Sequence, residues 1–249
     1  MQLFTSFLPW LYLAAGGYAG SLLFFALKKN RPAMALLCLG FMAHTGAIIA
    51  KGWSFGVFTP INMVSEQHFL PWCLAVMTLS RAAVAKRPLL PVPESISIFL
   101  LTFAAILLPA RIIPPSPLSS TTFATLFFFF EVFSHAFFLL AGLLAALFLT
   151  RRTGSQSFDT YATWGFILYS VAQVIGAVWS WMGWAVPFHW SERHLVSAAT
   201  WCFYCAYLHL RFSSRWTTGG KAWLALWGAA IMLVSVYSYY LSSVVVKHG

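Results

Sequence analysis

The chain has 249 residues, of which 60% are hydrophobic and only 8% are charged, and its formal net charge is +10. This composition lies far outside the range of soluble domains, so it excludes a soluble enzyme and indicates a polytopic membrane protein. Lysines and arginines in the joints between apolar segments account for the positive charge, and no nucleic-acid partner is expected.

Eight apolar stretches follow one another along the chain, each near the length of about 20 residues that a membrane-spanning helix needs. They predict an all-α bundle of eight transmembrane helices in a single integral-membrane domain over residues 1–249. The predicted spans cover residues 7–27, 32–50, 68–85, 94–110, 132–150, 160–181, 195–212 and 222–246.

The basic residues are distributed unevenly between the two sides of this bundle. Eleven of them, Lys28 and Arg81 included, lie in the joints that follow odd-numbered spans, whereas four lie in the remaining joints and ends. Because positively charged loops stay cytoplasmic, both termini are predicted on the outer, periplasmic side. The chain is therefore expected to be a multi-pass protein of the bacterial inner membrane, surrounded by lipid.

The segment between spans four and five is rich in proline and phenylalanine. Residues 111–120 contain three prolines, and residues 127–130 are all phenylalanine. A single helix over residues 121–150 would be too long for a bilayer, so we predict a separate interfacial stretch over residues 121–130. Glu131 would then mark the membrane surface, with His135 about one helical turn below it.

Residues 176–194 form a tryptophan-dense joint between spans six and seven, which we predict to be an outer loop. Indole faces cover a flat, apolar macrocycle at small entropic cost, so Trp179, Trp184 and Trp190 are candidate contacts for haem. The alternative is an aromatic belt at the membrane surface, where tryptophan is common.

Four histidines fall in or beside the spans at two depths. His135 and His248 lie near the outer ends of spans five and eight, whereas His44 and His209 lie deeper in spans two and seven. Neutral imidazoles ligate haem iron, so this arrangement predicts one or two non-covalent b haems, each held between two histidines. The alternative for any one of them is a structural histidine hydrogen-bonded to a neighbouring helix.

At these residues the chain resembles the tryptophan-motif, haem-handling membrane proteins of cytochrome c assembly, and in span count the membrane subunit of the two-component cytochrome c synthase. That family's motif runs approximately GAVWAxxAWGxYWxWDPKExW and is followed by a span that ends in YLHxR. The matching positions are Gly176, Ala177, Val178, Trp179, Trp184, Trp190, Trp201, Tyr207, Leu208, His209 and Arg211. The family's two outer histidines match His135 and His248, and its two deep histidines match His44 and His209.

The chain also departs from the family's motif. After Trp190 it reads SERH over residues 191–194, so the motif's aspartate is absent, and Ala185 replaces a glycine. His189 and His194 are additional histidines, either potential ligands or solvated loop residues, and we favour the second interpretation.

The resemblance implies a haem-binding membrane protein that carries or presents haem on the outer face for cytochrome c assembly, together with a separate membrane subunit that bears an outer domain. One alternative is a two-haem, b-type electron-transfer subunit, linked to quinol and to multihaem cytochrome subunits of a respiratory complex. A second is an eight-span regulator of tetrapyrrole synthesis. The acidic, serine and cysteine side chains form no evident catalytic set, so the sequence leaves open whether the protein is an enzyme.

Overall fold

The structure, a computed structural model, describes residues 7–56, 58–60, 63–84, 92–107, 117–150, 157–211, 213 and 215–245. Within these ranges every regular element is an α-helix, which confirms the all-α prediction. The eight helices are α1 (Leu8–Ala26), α2 (Asn30–Phe55), α3 (Met63–Val84), α4 (Val92–Leu107), α5 (Thr122–Leu149), α6 (Ser157–Trp184), α7 (Glu192–Arg211) and α8 (Thr218–Val245).

Five of these helices, α1, α2, α5, α6 and α8, contain segments long and apolar enough to cross a membrane. Helix α4 is apolar but has only 16 residues. Helices α3 and α7 are longer, but they carry charged and polar residues such as Glu66 and Arg193. A multi-pass membrane protein is thereby confirmed, whereas the count of eight spans and the orientation of the termini stay predictions.

The chain divides into two compact units, of which the first contains α1, α2, α4 and α3 from Val64 onward. Helix α1 packs along α2 and also contacts α4. Helices α3 and α4 are joined by an ion pair between Arg81 and Glu94, whose carboxylate is almost completely buried. This pairing offsets the cost of placing a carboxylate among apolar helices.

In the second unit, which contains α5 to α8, helix α5 packs antiparallel to α6 and also contacts α8. Phe127 stacks on Trp179 near one end of the α5–α6 pair, and Phe148 contacts Phe158 near the other. Helix α5 has 28 residues and is unbroken from Thr122 to Leu149, a length of about 42 Å at the usual rise per residue.

The separate interfacial stretch predicted over residues 121–130 is therefore wrong. The hydroxyl of Thr121 accepts a hydrogen bond from the backbone N–H of Ala124 and caps the start of α5. Phe127 and Phe128 are buried against α6 rather than spread on a membrane surface. Glu131, expected to mark that surface, has only 1% of its surface exposed.

Helices α6 and α7 form an antiparallel hairpin whose irregular connection is short. Helix α6 continues to Trp184, so residues 176–184 of the predicted outer loop are its last turns, and residues 185–191 form the connection, which we call the 185–191 joint. Along the hairpin, Trp201 donates to Ser170 over 3.0 Å and Tyr207 donates to Asp159 over 3.0 Å. The hairpin thus places the end of α6 beside the start of α7, next to the first turns of α5.

Candidate functional site

A cavity of about 880 Å³ lies in the second unit between the end of α6, the 185–191 joint and the start of α7, and we call it the tryptophan cavity. Its apolar walls include Phe127, Trp179, Trp184, Phe188 and Trp201. A volume of this size is typical of sites for small molecules and cofactors, which span about 300–1,000 Å³.

Two of the three predicted tryptophans form one wall of this cavity. Trp179 is fixed by a 2.9 Å hydrogen bond from its Nε1 to the carbonyl of Leu118 and by stacking on Phe127, with ring centroids 5.8 Å apart. Trp184 meets Trp179 almost perpendicularly, with centroids 5.7 Å apart and an interplanar angle of 78°. Trp190 is 85% exposed, packs on Phe188 and is not among the residues that line the cavity.

The 185–191 joint begins with a residue in the left-handed backbone conformation. Ala185 has φ of 57°, and its N–H donates to the carbonyl of Trp181 over 2.8 Å. This is the geometry of a helix C-cap, where glycine is strongly favoured because a Cβ crowds the backbone. The turn at Ala185 therefore explains why the motif that this segment resembles has glycine at the same position.

An ion pair ties the start of α7 to α5 beside the cavity. Arg193 lies 2.9 Å from the carboxylate of Glu131, measured between Nη2 and Oε2. Its guanidinium carbon also lies 5.0 Å from the ring centre of Phe127 and 4.8 Å from that of Phe128. The buried carboxylate of Glu131 on α5 thus neutralises the charge of Arg193 in the cavity wall. The 185–191 joint itself supplies no carboxylate, because the motif's aspartate is absent from it.

His189 and His194 both line the cavity, with ring centroids 5.6 Å apart. The Nε2 atom of His189 is buried and has no hydrogen-bond partner among the described residues. His189 is therefore only partly exposed, because the joint folds its ring against Trp184 at a centroid distance of 5.3 Å.

His194 lies at the first turn of α7, where its Nδ1 contacts the hydroxyl of Ser191 over 2.8 Å. Partial burial, and after it the neighbouring His189 and Arg193, lower the pKa of His194 below its ordinary value of 6.5. The imidazole of His194 is consequently neutral at neutral pH, the form that binds metals.

Two of the predicted histidine ligands lie elsewhere in the second unit. His135 is 4% exposed, packs against Tyr169 with centroids 5.8 Å apart and does not line the cavity. His209 is exposed, and its Nδ1 donates to the carbonyl of Cys205 over 2.8 Å, which leaves Nε2 as the unprotonated nitrogen. Its neighbour Tyr207 contacts Asp159 at the start of α6, so His209 lies at the end of the unit opposite the cavity.

His44 belongs to the first unit and is completely buried. Its Nε2 lies 2.9 Å from the carbonyl of His68 and must donate to it, and the hydroxyl of Tyr18 lies 3.4 Å from Nδ1. Both ring nitrogens thus contact neighbouring helices, as in a structural histidine. His248, the fourth predicted ligand, lies outside the described residues, and within those residues no group of three or more His, Cys, Asp or Glu side chains could hold a metal.

Known proteins similar to this chain are named cytochrome c biogenesis protein CcsA. The chain is 24% identical over 225 residues to the protein of Prochlorococcus marinus strain MIT 9312, an alignment that covers 73% of each chain. It is 22% identical over 226 residues to that of Guillardia theta, which covers 75% of each, and 33% identical over 90 residues to that of Synechococcus sp. strain RCC307, which covers 36% of this chain and 29% of the relative.

These relatives support a place in the cytochrome c assembly family. No protein-family model matches the chain, and no solved structure matches it. The relatives named above give no support to an electron-transfer subunit or to a regulator of tetrapyrrole synthesis.

The sequence analysis missed the contribution of α5 to the site. Phe127, Phe128, Glu131 and His135 recur at intervals of one, three and four residues, which places them close together on one face of a continuous helix. That spacing was the available signal that α5 extends through residues 121–130 and that its buried face adjoins the end of α6.

Proposed function

We propose that this chain is a haem-binding integral membrane protein that carries or presents haem on the outer face of the membrane for cytochrome c assembly. The observation that carries the proposal is the tryptophan cavity, because its indole wall comes from the motif positions shared with cytochrome c assembly proteins. The relatives named for cytochrome c biogenesis point to the same process.

The residues of the cavity fit a tetrapyrrole. Trp179 and Trp184 offer indole surface to a flat apolar ring, and the two rings are already fixed by contacts with α5 and with each other. The Nε2 of His189 has no hydrogen-bond partner among the described residues, and an imidazole nitrogen is a common ligand of haem iron. Haem, when bound, supplies an iron with axial positions that imidazoles can occupy.

The chain's own residues hold the cavity in shape. The hydrogen bond from Trp179 to Leu118 fixes the indole that α6 contributes. The ion pair between Arg193 and Glu131 holds the first turn of α7 against α5. Because Trp184 and Phe188 are 49% and 40% exposed, the ligand would remain accessible to a partner at the surface.

Four histidines are the ligands that the resemblance implies for one or two b haems. For the deep pair, His209 offers an unprotonated Nε2, whereas Nε2 of His44 would exchange its contact with the His68 carbonyl for iron. His135 and His248 are the corresponding outer pair. The proposed partner in cytochrome c assembly is a separate membrane subunit with an outer domain.

The proposal predicts that removal of one cavity indole lowers the haem content. Trp184→Ala should reduce haem in the detergent-purified protein, measured by pyridine haemochrome, and should reduce the yield of c-type cytochromes in cells that depend on this chain. Trp164→Ala is the matched control, because Trp164 is also on α6 and 52% exposed but does not line the cavity. Equal haem content in the two variants would contradict the cavity as the site.

The outer location has its own test in a variant whose four cysteines are replaced by serine. A cysteine introduced by Ser191→Cys in the 185–191 joint should react with a membrane-impermeant maleimide added to intact cells with a permeabilised outer membrane. A cysteine introduced by Arg215→Cys, in the joint before α8, should react only after the inner membrane is broken. The reverse pattern would exclude presentation on the outer face.

A further inference from the structure

The wall of the tryptophan cavity formed by the 185–191 joint carries an imidazole that the resemblance assigns to nothing. We propose that His189 is an axial ligand to the iron of haem bound in this cavity, in the position that the resemblance gives to His135. The inference rests on the proposed function, since it requires haem in the cavity, and it changes which element of the chain coordinates the metal.

The position of His189 supports this role. Its ring is held between two neighbours, with centroids 5.3 Å from Trp184 and 5.6 Å from His194, and it lines the cavity. Its Nε2 is buried and unpartnered among the described residues, although a buried polar nitrogen is normally hydrogen-bonded. Because this nitrogen has almost no accessible surface, a rotation of the ring that turned it into the cavity would let a bond to iron satisfy it.

His194 is a neighbour of this ligand rather than a second ligand to the same iron. Axial ligands approach iron from opposite faces of the porphyrin, whereas His189 and His194 contact each other on one wall. His194 is also held by the hydroxyl of Ser191 over 2.8 Å and by the edge of Phe188, with ring centroids 5.3 Å apart. We therefore expect His194 to position the ring of His189.

His135 is separated from the cavity by another side chain. Its ring packs on Tyr169, and the hydroxyl of Tyr169 donates to the carbonyl of Ser197, which lines the cavity, over 3.3 Å. His135 could reach a ligand in the cavity only after Tyr169 moved. The side chain of His189, by contrast, already lines the cavity.

The test compares three ring deletions in full-length, purified protein reconstituted with haem. His189→Ala should convert the cavity haem from a six-coordinate, low-spin to a five-coordinate, high-spin absorption and electron paramagnetic resonance spectrum. Added imidazole should restore the low-spin spectrum by entering the space left by the side chain. His194→Ala and His135→Ala should keep the low-spin spectrum, and thermal melting of all three should establish that they fold.

A second variant gives a positive signature that a merely structural role would not produce. His189→Met should keep six-coordinate iron and raise its reduction potential, because a histidine–methionine pair raises the potential of haem iron. An unchanged potential in His189→Met would overturn the assignment.

The outcomes separate this inference from the proposed function. Wild-type protein that takes up no haem would overturn the proposed function itself. Wild-type protein that binds haem, together with an unchanged spectrum in His189→Ala, would overturn only the role of His189. Two further outcomes would also overturn the role of His189. One is a high-spin spectrum in His135→Ala with a low-spin spectrum in His189→Ala. The other is a loss of haem in His189→Ala that imidazole does not restore.

Discussion

Ala185 stores strain at the start of the 185–191 joint, and replacing it with glycine should stabilise the protein. Its φ of 57° is in the left-handed region, which costs an L-residue about 1–2 kcal/mol and glycine nothing. Glycine also gives the unfolded chain more conformational freedom, which offsets about 0.4–1 kcal/mol of this stabilisation. Because Ala185 is exposed, its methyl group contributes little packing, so Ala185→Gly should stabilise by about 0.5–1 kcal/mol.

Two glycines of the same chain supply matched controls. Gly56 ends α2 with φ of 70°, and a Cβ there would meet no described atom within 4 Å. Gly56→Ala should therefore destabilise by about 0.5–1 kcal/mol, which is the backbone strain less the entropy that alanine removes from the unfolded chain. Gly16 lies inside α1 with equally open surroundings, and Gly16→Ala should stabilise by roughly 0.5–1 kcal/mol because alanine favours the helix.

Thermal unfolding in detergent, followed by tryptophan fluorescence, measures all three effects. One kcal/mol corresponds to about 2–4 °C for a chain of this length, so Ala185→Gly should raise the melting temperature by about 1–4 °C and Gly56→Ala should lower it similarly. The strain argument would be refuted if Ala185→Gly lowered the melting temperature while Gly56→Ala also lowered it. Haem content of Ala185→Gly should equal that of the wild type, since the glycine preserves the turn.

Two further predictions concern the contacts that hold the cavity walls. Arg193→Ala removes the cation from the buried carboxylate of Glu131 and should destabilise by about 3 kcal/mol, whereas the double variant with Glu131→Gln should recover most of the loss. Additive effects in this double-mutant cycle would show that the pair is not coupled. Trp179→Phe keeps the stacking on Phe127 but loses the hydrogen bond to the Leu118 carbonyl. It should therefore lower the free energy of unfolding by about 1 kcal/mol. An unchanged melting temperature would show that this bond contributes nothing to stability.

The sequence was sufficient for the helical class and for part of the site, for identifiable physical reasons. Apolar stretches of membrane-spanning length predict helices because the bilayer leaves backbone groups no partners outside the helix or a closed barrel. Trp179 and Trp184 were found because their spacing matches a motif in which indoles serve one ligand. The structure brings both to the wall of one cavity.

The errors arose where a contact between distant segments decides the local structure. Bilayer thickness alone argues against a helix over residues 121–150, but burial of Phe127, Phe128 and Glu131 against the α6–α7 hairpin stabilises α5 as one element. The orientation of His189 depends on the turn at Ala185, and alanine gives no sign in the sequence that the backbone adopts a left-handed conformation. The helical spacing of Phe127, Phe128, Glu131 and His135 was a local signal of the continuous helix, whereas no local pattern of this chain indicates the turn at Ala185.

The two indoles of the cavity wall follow the motif, whereas other residues around the cavity depart from it. Trp179 and Trp184 lie on α6 at positions where the motif also has tryptophan, and Phe127 lies on α5, outside the motif altogether. Other departures lie in the 185–191 joint and in the first turn of α7, whereas His189 stands at a position that the motif leaves open. The apolar shape of the cavity depends on packing between helices, whereas His189 is supplied by the short 185–191 joint. The polar groups of the cavity can therefore change while its apolar shape is kept. Trp184→Ala therefore examines an indole that the chain shares with the motif, and His189→Ala examines a side chain at a position that the motif leaves open.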